Sequence, residues 1–296
     1  MKFLSTFVFT LAGIACVPVH AETDDTASAE PDTKTVYKTV GDVSLRLHVF
    51  TPPGHSASAK APAVVFFFGG GFKTGTPRQF YGQSHHLASR GMVAMAAEYR
   101  TKNAHGVDPR ACVQDAKSAI RWVRAHAGEL GIDPDRIAAG GGSAGGFLAA
   151  ATATLPGLDE PGEDTSTSCR PDALVIFNAP FDARPNQSGF EKTLLAQNRD
   201  FMPINHIRAP FPPTILLLGS EDHIVSPEDA RRTQSTIQSV GGRCDLHIYE
   251  GQRHGFFNAK NAGGKYHALT LEEVDRFFTS LGWVPEKPTT PNPSAP

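Results

Sequence analysis

The run Gly-Gly-Gly-Ser-Ala-Gly-Gly at residues 140–146 sets Ser143 in a G-x-S-x-G frame, after an apolar strand-like stretch and before an Ala-rich helix-like one. A serine hydroxyl attacks a carbonyl only when it is lifted clear of the backbone and given a base. A tight strand-to-helix turn does the lifting, and only hydrogen fits at the flanking Gly141 and Gly145. The base, and the acid that holds it in the right tautomer, belong on loops at the carboxyl ends of other strands. Asp222 meets that condition in Leu-Gly-Ser-Glu-Asp (218–222), after the apolar run Thr214–Leu218. His254 meets it in Gly-Gln-Arg-His-Gly-Phe (251–256), after Asp245–Tyr249. The chain order Ser143, Asp222, His254 predicts a nucleophile, an orienting acid and a base for acyl transfer. Glu221 competes for the acid role but neighbours Asp222, and His223 and His267 lack a glycine-flanked loop to free the imidazole.

A developing oxyanion needs backbone donors, and Phe68-Gly69-Gly70-Gly71-Phe72 follows the strand-like run Ala63–Phe68. Consecutive glycines let N–H groups turn inward, which predicts Gly70, Gly71 and Ala144 as the donors. No G-x-x-x-x-G-K-[ST] frame is present, and the G-x-G-x-x-G frame at Gly140–Gly145 is the serine turn itself, so no nucleotide site is expected. His85-His86 has no further ligand at metal spacing and reads as a surface pair. No cofactor and no metal are called for. Phe72, Phe80 and Tyr81, near the glycine loop, either line a substrate pocket or pack the loop onto the sheet; Phe72 and Tyr81 are the binding candidates.

The elements that must position these groups alternate. Val36–Val40 and Ser44–Phe50 predict an antiparallel hairpin turned at Gly41-Asp42. Ala63–Phe68, Met92–Ala97, Arg136–Ala139, Ala173–Phe177, Thr214–Leu218 and Asp245–Tyr249 predict strands, and their near-continuous apolar character implies a sheet covered on both faces. Val113–Ala127 buries Ala116, Ala119, Ile120 and Val123 at helical spacing, with Lys117, Arg121 and Arg124 outside. Pro227–Val240 and Leu271–Leu281 are further amphipathic helices. Strand and helix in alternation predict an α/β domain with a mostly parallel central sheet.

Composition agrees: 296 residues, 40% hydrophobic and 20% charged, with a formal net charge of −2. No basic cluster seeks nucleic acid. Met1-Lys2, the apolar run to Val19 and the small-x-small Val19-His20-Ala21 read as a cleavable export signal (1–21), too short for a membrane span. Its removal takes Lys2 and leaves a net charge of −3. A lipoprotein alternative at Cys16 is weakened by Gly13, where such signals usually have leucine. Residues 22–34 read as a disordered linker, 35–283 as the catalytic domain and 284–296 as a Pro-rich disordered tail. Export favours a disulfide, and the loop-edge positions of Cys112 and Cys169 make them the expected pair, with Cys244 a buried thiol. Three unpaired cysteines remain the alternative.

Taken together, residues 36–283 resemble the α/β-hydrolase esterases, in particular the hormone-sensitive-lipase-like and acetylxylan-esterase-like carboxylesterases. The resemblance rests on Gly69–Gly71, Glu98-Tyr99-Arg100, residues 115–124 and 131–137, Gly141–Gly146, and the Asp222 and His254 loops. It implies an α/β-hydrolase fold with a small cap and a secreted or periplasmic Ser-His-Asp enzyme acting on short, acetyl-sized esters. The substrate class it implies is a small-molecule or carbohydrate ester such as acetylated xylan. The family usually has histidine where this chain has Phe68, which puts the rigidity of the glycine loop in question. By the same resemblance Arg100 and Asp115 are loop anchors, and Trp122 belongs to the core. A peptidase of this fold usually adds a propeller for which the chain has no room, and a non-catalytic binding relative would be expected to lack a triad member.

Overall fold

The computed structural model describes residues 29–182 and 199–287. The expected leader, most of the 22–34 linker, the end of the tail and residues 183–198 lie outside them. Eight strands form one sheet: β1 (Thr33–Val40), β2 (Val43–Phe50), β3 (Ala61–Phe67), β4 (Val93–Ala97), β5 (Ile132–Gly142), β6 (Ala173–Phe177), β7 (Thr214–Gly219) and β8 (Cys244–Tyr249). Their spatial order is β1-β2-β4-β3-β5-β6-β7-β8. β1 and β2 form the expected hairpin, β2 also runs antiparallel to β4, and all later pairings are parallel. Every residue of β3, β4, β6 and β7 is buried, as a sheet with helices on both faces requires.

Alternation along β3 divides the core. Ala63, Val65 and Phe67 face a cluster that includes Cys112, Ile120 and Phe147, whereas Val64 and Phe66 face one with Leu87, Val274 and Phe278. The first face is covered by helices α3 (Pro109–Ala125), α4 (Ala144–Thr154) and α5 (Pro227–Ser239), the second by α1 (Tyr81–Ser89) and α6 (Lys265–Ser280). A short α2 (Lys102–His105) precedes α3. α3 starts a turn before the apolar pattern does, because Asp108 accepts from the N–H of Arg110 and Pro109 needs no donor partner. α6 likewise begins well before Leu271. Among the described residues no helix is long and apolar enough to cross a membrane.

Four expectations are corrected. β1 already pairs at Thr33 and Lys34, inside the stretch expected to be loose, and Asp32 accepts from the N–H and hydroxyl of Thr51. At the other end Val284 is buried in the core beside Trp283, which stacks on Phe278 at 5.5 Å. Lys117 and Arg121 are buried at 2% and 7% exposure instead of facing solvent. The segment after α4 lies over them, and its Asp159 and Glu163 carboxylates take up both cations.

The fourth concerns cysteine. Cys112, Cys169 and Cys244 are all free thiols. Cys112 points inward and donates to the carbonyl of Arg100 at 3.1 Å, while Cys169 turns to the carbonyl of Thr152 at 3.7 Å. The charges felt by Cys169 include Lys117 and Arg121, more than one turn farther along α3 than Cys112. The two thiols face different carbonyls, and no disulfide joins them in the structure. Burial pushes the Cys112 and Cys244 thiols up to about 12, which leaves them poorly reactive.

Candidate active site

The parallel register aligns strand ends at one edge of the sheet. Phe67 pairs with Gly141, Gly142 with Phe177, Phe177 with Leu217, and Gly219 with Tyr249. The loops after β3, β5, β6, β7 and β8 therefore open side by side. They carry Gly69–Gly71, Ser143, Asn178, Asp222 and His254 in turn.

Ser143 occupies the turn between β5 and α4 with φ 54° and ψ −121°, a conformation that L-residues adopt only under constraint. Its N–H is held by the carbonyl of Phe177 at 2.9 Å, and its carbonyl accepts from Phe147 at 3.0 Å. The close approach predicted for the flanking glycines is real. A Cβ on Gly145 would lie 1.9 Å from the carbonyl oxygen of Phe67, and one on Gly141 would lie 2.5 Å from the backbone of Gly145.

The three expected side chains meet. His254 Nε2 lies 2.9 Å from Ser143 Oγ, and Nδ1 lies 2.8 Å from Asp222 Oδ2. A carboxylate only accepts, so Nδ1 carries the proton and Nε2 is left to accept the hydroxyl. The other Asp222 oxygen accepts from the N–H groups of Ile224 at 2.8 Å and Val225 at 3.0 Å, and its side chain is fully buried. The weaker candidates fall elsewhere. Glu221 faces Arg253 at the surface, and the His223 ring sits 6.0 Å from that of His254. His267 lies on α6, its Nδ1 3.2 Å from the carbonyl of Phe257. His86 pairs with Asp275 at 3.1 Å.

The glycine loop runs past Ser143: a Cβ built on Gly69 would approach Ser143 Cβ to 3.4 Å. The Gly69 N–H is consumed by Gln79 Oε1 at 2.6 Å. Gly70 has φ 127°, and any side chain there would strike the carbonyl of Thr74. Ala144, the first residue of α4, has no carbonyl one turn back to occupy its N–H.

Phe68 does not loosen this loop. Its ring stacks on Tyr99 with centroids 4.0 Å apart, and the Tyr99 hydroxyl donates to the Phe68 carbonyl at 2.7 Å. Tyr99 is held in turn through Arg100, which chelates Asp115 through Nε at 2.9 Å and Nη2 at 2.8 Å. Lys38 and Glu160 complete that buried network. Arg100 and Asp115 thus serve as loop anchors, while Trp122 is half-buried against the core and stacked on His126.

The aromatic candidates separate. Phe80 is buried in a stack with Phe66 and Phe257, and the Phe257 ring also fills the space over Gly142. Phe72 is 3% exposed and meets Phe147 edge-on at 5.5 Å, so it packs the loop onto α4. Tyr81 alone of the three lines an open groove beside the glycine loop, with its hydroxyl bonded to His48.

Two residues at the site escaped the sequence reading. Gln79 holds Gly69 through one end of its amide and Asn258 through the other, at 3.0 Å. Asn178, at φ 38° and 2% exposure, places Nδ2 3.0 and 3.1 Å from both nitrogens of His254. An atom that near to both cannot lie in the ring plane, where the intervening C–H would block it, so the amide covers the ring face. This contact keeps the imidazole in the plane that joins Asp222 to Ser143. Replacing it by Asn178→Ala lets the ring tilt, and roughly 10- to 100-fold should be lost from kcat with KM little changed. Steady-state kinetics with a thermal melt as control will show it, and an unchanged kcat would remove Asn178 from the site.

Comparison with known proteins agrees with the fold. The BD-FAE family model matches residues 47–237, and the dienelactone hydrolase family model matches residues 202–281. The probable carboxylic ester hydrolase LipM of Mycobacterium tuberculosis is 32% identical over 68% of this chain and 52% of its own. Esterase LipC of the same organism is 30% identical over 71% and 57%. The chain thus spans about half the length of these curated relatives. Thermogutta terrifontis esterase 2, solved after phosphonylation by sarin, superposes with a TM-score of 0.83 at 41% identity, covering 86% of this chain and 96% of that one. The same esterase has been solved with propionate and with butyrate bound. With a family model matching well over half its length, this chain belongs to the BD-FAE family and has the α/β-hydrolase fold.

Proposed function

We propose that this protein is an exported serine carboxylesterase that removes short acyl groups, acetyl first among them, from carbohydrate such as xylan. The observation that carries the reading is the continuous contact from Asp222 through His254 to Ser143, at 2.8 and 2.9 Å, beside a glycine loop. His254 takes the hydroxyl proton as Ser143 attacks the ester carbonyl. The N–H groups of Gly70, Gly71 and Ala144 stabilise the tetrahedral anion. His254 then protonates the departing alcohol, and water activated by the same imidazole clears the acyl enzyme. Asp222 stabilises the imidazolium throughout.

Short acyl groups are supported by the propionate and butyrate held by the Thermogutta esterase, and by the sequence, whose segments Leu155–Arg170 and Phe181–Phe211 are short, Pro-rich and polar, enough for a small cap only. Export is supported by the apolar leader and its Val19-His20-Ala21 end. The test is a p-nitrophenyl ester series together with acetate release from acetylated xylan. The kcat/KM should be highest at acetate to butyrate and fall steeply by decanoate. A maximum at long chains would sink the short-acyl reading, and no acetate from xylan or its oligosaccharides would sink the carbohydrate one.

A further inference from the structure

Beside the glycine loop lies an open groove of about 590 Å³, in the range of small-molecule sites. One wall is the glycine loop and the start of α1, from Gly69 to Gln83, and the other is the loop that follows His254, at Asn258 and Lys260. The Gln79–Asn258 hydrogen bond ties the two walls. In the proposed reaction the departing oxygen must reach His254 Nε2 to be protonated. Neither Ser143 nor His254 lines the groove, but Gly69, which lies against Ser143, and the continuation of the His254 loop set it next to the point where the alcohol departs.

Its chemistry is one-sided. Arg78 and Lys260 flank it, and among the described residues no carboxylate lines it. Arg78 meets Glu30 at 2.6 Å, but both side chains are more than half exposed, and such a pair is weak and readily exchanged for a ligand. Deeper in, Gln83 is 1% exposed, and its Oε1 has no hydrogen-bond partner among the described residues. That atom calls for a donor such as a hydroxyl.

We infer that this groove holds the alcohol part of the substrate and selects a hydroxylated alcohol bearing a carboxylate, such as an acidic sugar. The carboxylate bridges Arg78 and Lys260, and a ring hydroxyl donates to Gln83. The inference rests on the esterase reading, since it assigns the groove to the leaving group.

The test compares methyl glucuronoside with methyl glucoside, which differ only in bearing a carboxylate or a hydroxymethyl group at one ring carbon, by calorimetric or NMR titration of the intact protein. The glucuronoside should bind about tenfold more tightly, an advantage of the size that charge-assisted hydrogen bonds supply. The double substitution Arg78→Gln/Lys260→Gln should erase that advantage and leave the glucoside affinity within about twofold, as neutral contacts are untouched. Both positions are at the surface, and a thermal melt verifies the fold. Equal affinity of the two sugars for the unaltered protein, or a preference that survives the double substitution, overturns the inference. Turnover of p-nitrophenyl acetate tests the esterase reading by itself, so each can fail without the other.

Discussion

Ser143→Ala is expected to lower turnover of p-nitrophenyl acetate roughly a millionfold, as loss of the nucleophile does in another serine hydrolase. The substitution removes one atom, Oγ, whose contact in the structure is His254 Nε2 at 2.9 Å. The strain at φ 54° belongs to the backbone, imposed by the Phe67–Gly145 approach and by the Phe177 carbonyl, and an alanine inherits it unchanged. The melting temperature should therefore stay close to that of the parent. A fluorophosphonate probe, which labels only an activated serine, should no longer attach to the peptide containing residue 143. Adding His254→Ala to the same chain should cost little more, because nucleophile and base act as a unit. Retention of more than about a thousandth of the parent rate would show that another group attacks the ester.

The parts of this molecule that could be read in advance are those with a local signature. Strands buried on both faces are apolar throughout, and β3, β4, β6 and β7 were visible for that reason. The triad was visible because a parallel sheet brings strand-end loops together, so order and position along the chain stand in for distance. What escaped depends on contacts between distant segments. Gln79 meets Asn258 across 179 positions, and nothing around either residue marks it. Asn178 had a usable sign, a polar residue at the carboxyl end of an apolar strand, level with the other site loops. Lys117 and Arg121 follow the helical pattern of a solvent face, yet the acidic run Asp159, Glu160 and Glu163 just after α4 was a hint of their cover. The Cys112–Cys169 pairing failed because loop-edge positions fix neither direction nor separation.

Asp222→Asn is expected to cost about 10⁴ in kcat while leaving KM and the fold nearly unchanged, the loss seen when an orienting acid becomes an amide. The local geometry dictates which way the amide lies. The N–H groups of Ile224 and Val225 both point at Oδ1, at 2.8 and 3.0 Å, and only an oxygen can accept them. The amide oxygen of Asp222→Asn must keep that place, so its NH2 falls where Oδ2 stood, 2.8 Å from His254 Nδ1. Oδ1 also lies 3.0 Å from Nδ1 but already accepts two N–H groups, so the donor at 2.8 Å decides and the imidazole proton moves to Nε2. That nitrogen then offers a proton to Ser143 instead of accepting one, and the base is lost although every side chain keeps its position. Nδ1-protonated and Nε2-protonated imidazoles have distinct nitrogen chemical shifts, so an NMR spectrum of selectively labelled His254 reads the tautomer directly. A variant that keeps Nδ1 protonated, or that retains more than about a tenth of the parent kcat, would show that Asp222 does not set the state of the base.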